Sequence, residues 1–190
     1  MLMINKHELK QAVNNTMLTA GGRAFTVYSP DSMRVLSYFE HTLIKKAHDG
    51  PGFKKSEVVA HILEDMVASE YPEIWHDVCL LIQPNKSGAL VRCPKCKTWH
   101  TIGTVAENVE TQPFVMPVLG EIDYNVVKAV ELEIKTKAGK LMSVYNPRVS
   151  AVMKYLSYTE TKFAVSRAAA DLLETGLAGF YPEFFEEDVD

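Results

Sequence analysis

Cys93-Pro94-Lys95-Cys96 is the densest piece of potential chemistry in this chain of 190 residues. Two thiols three residues apart on a turn can point at one metal ion while the turn's amides donate to their sulfurs. The text on either side, ALVR before and TWHTIGTV after, reads as two short strands, so the motif has the shape of half a zinc ribbon. His100 follows at a reachable spacing, which gives Cys93, Cys96 and His100 as ligands of a structural zinc. The fourth ligand would come from Cys79 or His76 upstream. Cys79, set among Trp75, Val78 and Ile82, also reads as a buried core thiol. A thioredoxin-like redox role needs the two cysteines to open a helix, and a proline between strands does not fit it.

A second constellation is Asp123 followed by Glu133-Ile134-Lys135. Residues 126–135 read as a long strand, with Val130, Leu132 and Ile134 on its buried face and Glu131, Glu133, Lys135 and Lys137 on the other. An Asp and then Glu-x-Lys on a following strand is the pattern of restriction-type nucleases, where carboxylates hold Mg²⁺ and the lysine steadies the attacking water. The same charges also make an ordinary polar strand face. A Mg²⁺-dependent nuclease using Asp123, Glu133 and Lys135 therefore stands as the alternative to a non-enzymatic role. The histidines are scattered (His7, His41, His48, His61, His76, His100), and His41 and His48 read as a solvated helix face. No HExxH, GxSxG or phosphate-cradling glycine loop occurs.

The elements that would position these groups are built on an internal repeat. TAGGRAFTVYSPDSMRVLSYF from Thr19 aligns without a gap to TKAGKLMSVYNPRVSAVMKYL from Thr136, at a constant offset of 117 residues. Thr19, Gly22, Val27, Tyr28, Pro30, Val35 and Tyr38 recur as Thr136, Gly139, Val144, Tyr145, Pro147, Val152 and Tyr155. Each copy reads as a turn, a short β-branched strand, an N-cap (Ser29 or Asn146), a proline at the first helical position and an amphipathic helix. Glu133 and Lys135 fall opposite Thr16 and Leu18 at this offset, so the repeat carries no shared catalytic pair.

Around the repeat, helices are expected over residues 6–17, from Ser56 to Val67, over 74–82, and over 161–175 with Gly176 as the stop. The helix from Ser56 presents Glu57, His61, Glu64 and Asp65 outward. Residues 126–135 and 141–145 are expected to form a hairpin. The fold class is α+β: two similar strand–Pro–helix units flanking a β-knuckle insert, with a helical N-terminal half. The expected divisions are 1–72 (helical part with the first unit), 73–112 (apolar helix and knuckle), 113–179 (hairpin and second unit) and an acidic aromatic tail, 180–190. In that tail Phe180, Tyr181, Phe184 and Phe185 alternate with acids, which suits an anchor on a partner or a solubilised chain end.

Net charge −4 argues against a role coating nucleic acid, although Arg92, Lys95, Lys97 and Trp99 make a zinc-knuckle nucleic-acid module a further alternative. No apolar run reaches membrane-spanning length, and three cysteines suit a reducing compartment, so a soluble intracellular protein is expected.

The order DVCLLIQPNKSGALVRCPKCKTWHTI, then VELEIKTKAGKLMSVYNPRVSAVMKYL, resembles the small baseplate hub and hub-assembly proteins of contractile-tailed bacteriophages. The resemblance covers roughly residues 64–157, in pattern more than in identities. Lys97 stands where such knuckles often carry glycine. The resemblance implies a non-enzymatic structural or assembly protein working by protein–protein contacts. Its partners would be other tail or baseplate proteins, with self-association open, and its location the host cytoplasm during assembly or the virion.

Overall fold

A computed structural model describes residues 4–18, 21–43, 55–82, 90–92, 99–101, 116–135 and 141–185. Its helices are α1 (Lys6–Met17), α2 (Pro30–Leu43), α3 (Lys55–Glu70), α4 (Pro72–Leu81), α5 (Tyr124–Ile134), α6 (Pro147–Thr159) and α7 (Val165–Phe180). The strands are β1 (Ala24–Tyr28), β2 (Leu90–Arg92), β3 (Trp99–Thr101) and β4 (Leu141–Tyr145). Among the described residues the class is α+β, mostly helical, with two small antiparallel sheets.

The expected hairpin does not form. Residues 124–134 are helical, and β4 pairs instead with β1, more than a hundred residues upstream. Val130 and Ile134, both buried, lie four apart, a spacing that serves a helix as well as a strand. Leu132 decides between them. It would have to be buried in a strand and is 65% exposed.

The register of β1 on β4 turns the repeat into geometry. Thr26 pairs with Ser143, its own repeat equivalent, so a local two-fold axis runs through that pair. Val27 and Val144 are buried on one face of the ribbon, while Thr26, Tyr28, Leu141 and Ser143 are exposed on the other. The axis extends through the whole core: α1 packs on α6 and α5 on α2, α7 covers β1 and α3 covers β4, and α3 crosses α7. Each unit (α1-β1-α2-α3 and α5-β4-α6-α7) thus closes the core of the other. They are intertwined rather than side by side.

Matching polar contacts mark both halves. Asn5 and Asp123 cap α1 and α5 through their side-chain oxygens. The backbone N–H of Asn5 donates to the Tyr155 hydroxyl at 3.0 Å, and that of Asp123 to the Tyr38 hydroxyl at 2.9 Å. The N-caps Ser29 and Asn146 accept from the first-turn amides of α2 and α6 as expected. Each is also held by a glutamate of the other unit. Ser29 Oγ donates to Glu174 of α7 at 2.5 Å, and Asn146 Nδ2 donates to Glu64 of α3 at 2.9 Å. Glu64 is therefore not one of the outward charges of its helix.

Glu64 and Glu174 belong to a second repeat block that the first offset hides. At an offset of 110, Ser56, Ala60, Leu63, Glu64, Ala68, Tyr71, Pro72 and Glu73 recur as Ser166, Ala170, Leu173, Glu174, Ala178, Tyr181, Pro182 and Glu183. The connection between α6 and α7 is shorter than that between α2 and α3, which accounts for the changed offset. Both blocks end in Tyr-Pro-Glu, followed by a buried apolar residue, Ile74 or Phe184.

Two local expectations fail for the same reason, namely close packing across the axis. Gly176 does not stop the last helix, which runs to Phe180. A Cβ at Gly176 would collide with Ile62 Cγ2 and sit 3.0 Å from Met66 Cγ, so the glycine lets α3 and α7 approach. The described part of the tail, residues 180–185, is not free either. Tyr181 and Phe184 are buried against Phe39 and Tyr38, with ring centroids 4.8 and 5.1 Å apart.

Candidate functional site

A duplicated scaffold supplies its own control: a feature present in both halves serves the fold, and a feature present in one half is a candidate for function. The tethered caps and the tyrosine hydroxyls are present in both. The first Tyr-Pro-Glu, however, opens helix α4, whereas the second opens a short 3-10 turn at Pro182–Phe184. Among the described residues, α4 with the β2–β3 pair that follows it is a one-sided feature.

Its root is fixed by a one-sided contact. Arg148, in the first turn of α6, donates from Nε to the carbonyl of Ile82 at 3.2 Å, where α4 ends. The equivalent position in the other unit is Asp31, which pairs with Arg34 at 3.5 Å instead. Cys79 lies one turn from Ile82 and is half-buried with no disulfide. Burial pushes its thiol pKa up, the Arg148 guanidinium opposes that shift, and Glu64 adds to it.

Beyond the root, β2 and β3 are antiparallel, with Leu90 opposite Thr101, Val91 opposite His100 and Arg92 opposite Trp99. The two strands expected around the motif are therefore present and paired, and Cys93 and Cys96 fall in the six residues of sequence between them. Cys93, Cys96, Lys95 and Lys97 themselves lie outside the described residues, as does His48. His76 and Cys79 are both on α4, three residues apart.

A cleft of about 410 Å³ lies between the end of α2 and the segment leading into α5. Phe39, Leu43, Leu119 and Val126 supply its apolar wall, and His41, Glu121 and Asp123 its polar rim. His41 Nε2 lies 3.0 Å from Glu133 Oε2, so His41 is paired rather than simply solvated.

The nuclease constellation is not assembled. Asp123 uses its carboxylate to cap α5, accepting from the Asn125 amide at 2.9 Å, and Glu133 sits at the far end of the same helix against His41. Ten residues of helix separate the two carboxylates by roughly 15 Å along the axis. Both cannot hold one Mg²⁺. The reason is the misassigned strand: alternation would have placed Glu133 and Lys135 side by side on one face.

Glu64, Glu174 and Arg148 were not singled out from the sequence as contact residues. The signal for the two glutamates was the second repeat block. For Arg148 there was only its replacement by Asp31 at an otherwise matching position. No family model, curated protein or solved structure matches the chain.

Proposed function

We propose that the chain is a structural or assembly protein that acts through protein–protein contacts, presenting a Cys/His knuckle from one side of a two-fold scaffold. The observation that carries this reading is the asymmetry itself. The two halves agree in their strands, caps and crossing helices, and among the described residues the first Tyr-Pro-Glu leads into helix α4 and the β2–β3 pair where the second opens a 3-10 turn. The resemblance of the sequence to small hub and hub-assembly proteins of contractile-tailed phages gives the specific form: a component or chaperone of the tail baseplate hub. Zinc is the cofactor of this reading, held by Cys93, Cys96 and His100, with Cys79 as the candidate fourth ligand. When bound it would lock the turn between β2 and β3 as a rigid contact surface.

Native mass spectrometry of the purified protein tests the metal. One zinc per chain is expected, absent after Cys93→Ser, with the helical circular dichroism of the variant unchanged. A wild-type chain free of metal would remove zinc from the proposal. In a tail-assembly extract depleted of this protein, baseplates should fail to form until it is added back. Normal baseplates without it would sink the phage reading while leaving the metal result intact.

A further inference from the structure

We infer that the scaffold is a fused dimer whose inter-unit surface fits a second copy of this chain, so that two chains can exchange units reciprocally. Most of the packing that buries the core runs between the units: α1 on α6, α5 on α2, β1 on β4, α7 over β1, α3 over β4 and α3 across α7. A unit alone would leave those faces in water. The units are joined covalently only by the chain between Ile82 and Met116, including the β2–β3 pair. With that pair intact, residues 83–89 and 102–115 still give 21 residues of connector, which reach up to about 70 Å when extended. That length allows the first unit of one chain to pair with the second unit of another.

The interface also selects which units pair. Met66 and Gly176 are equivalent at the offset of 110 and meet at the crossing of α3 and α7. Two first units would bring methionine against methionine there, which overfills the crossing. Two second units would bring glycine against glycine, which leaves a void. Complementarity of this kind favours first-with-second pairing within one chain or between two, and disfavours like with like.

The contacts are the same in both forms, so their energies cancel and the connector decides. A tether of about this length holds two units at an effective concentration on the order of millimolar. The closed chain should therefore dominate when the protein refolds from denaturant at about 1 µM, and exchanged dimer should become comparable with it when refolding takes place near 1 mM. Interconversion afterwards is slow because the core must open.

The test uses the full chain with a protease recognition sequence placed between Pro84 and Asn85, refolded at both concentrations and separated by size-exclusion chromatography. Dimer should appear only after refolding at high concentration. Cutting the connector should then convert dimer and monomer alike into one species with the mass of a single chain, because each intact core consists of one first and one second unit. Absence of dimer at every concentration would overturn the inference. So would a dimer that survives cleavage, which would be held by some other surface, or cut halves that separate.

Discussion

Ending the chain after Gly179 should unfold it. The truncation removes Tyr181 and Phe184, which are 3% and 8% exposed and pack on Phe39 and Tyr38 of α2. Deleting one buried aromatic ring typically costs about 3–5 kcal/mol, and a domain of this kind is stable by about 5–15 kcal/mol in total. Losing two rings therefore takes most or all of the margin. Tyr181→Ala alone should lower stability by about 3–5 kcal/mol in urea titration. Tyr181→Phe keeps the ring and loses only the hydroxyl's bond to the Pro117 carbonyl, at 2.7 Å, for about 1 kcal/mol. The same phenol gives a pH signature. Burial pushes its pKa up to about 12, and that of its repeat partner Tyr71 is raised as well, by burial and then by Glu160 and Glu70. A phenol whose pKa is higher folded than unfolded stabilises the fold fully below the unfolded value of about 10 and loses that contribution as pH rises toward 12. Denaturant midpoints should thus fall above pH 10, less steeply in Tyr181→Phe. A truncated chain with an unchanged unfolding midpoint would mean that the tail is not part of the core.

Gly176→Leu should be nearly as damaging, although helix propensity alone favours leucine over glycine by about 1 kcal/mol. The first atom added already collides with Ile62 Cγ2, on a β-branched side chain with little rotamer freedom, and Met66 lies 3.0 Å away. Moving α3 off α7 would disturb the caps held by Glu64 and Glu174. Overpacking of this kind costs about 1–3 kcal/mol for small insertions and more where backbones must part, so packing outweighs propensity. Gly176→Ala should show the same sign at about 1–3 kcal/mol, net of the propensity gain. The double variant Gly176→Ala with Ile62→Ala should cost clearly less than the two single changes added together, because removing Ile62 Cγ2 makes room for the new methyl. Additive losses in that cycle would show that the crossing is not where the strain arises.

Both results bear on what the sequence disclosed. The strand-to-helix joints were legible because their signals are local: Ser29 and Asn146 cap, prolines open the helices, and β-branched runs precede them. The interdigitation was not, because nothing local says that β4 pairs with β1 rather than with its neighbour in sequence. Residues 126–135 carry apolar side chains at two periods at once, and the exposed Leu132 supplied the false alternation. Gly176 sits where a helix stop would sit, and only the facing Ile62 and Met66 show that its role is close approach. The aromatic tail looked like an anchor for a partner because its partner, α2, lies nearly the whole chain away. The Cys/His knuckle was legible as a motif, and the antiparallel β2–β3 pair agrees with it. Its importance as the one-sided element emerged only once the two halves could be overlaid.

The most direct test of a self-sufficient two-fold scaffold carrying a separate functional insert is a thermal melt. Residues 83–115 would be replaced by a glycine–serine linker of equal length, and unfolding followed by circular dichroism. A single cooperative transition within about 5 °C of the intact protein is the predicted result, since the shift per kcal/mol for a chain of this size is about 2–4 °C. Loss of the cooperative transition would contradict it, because the insert would then be part of the core rather than a surface presented by it.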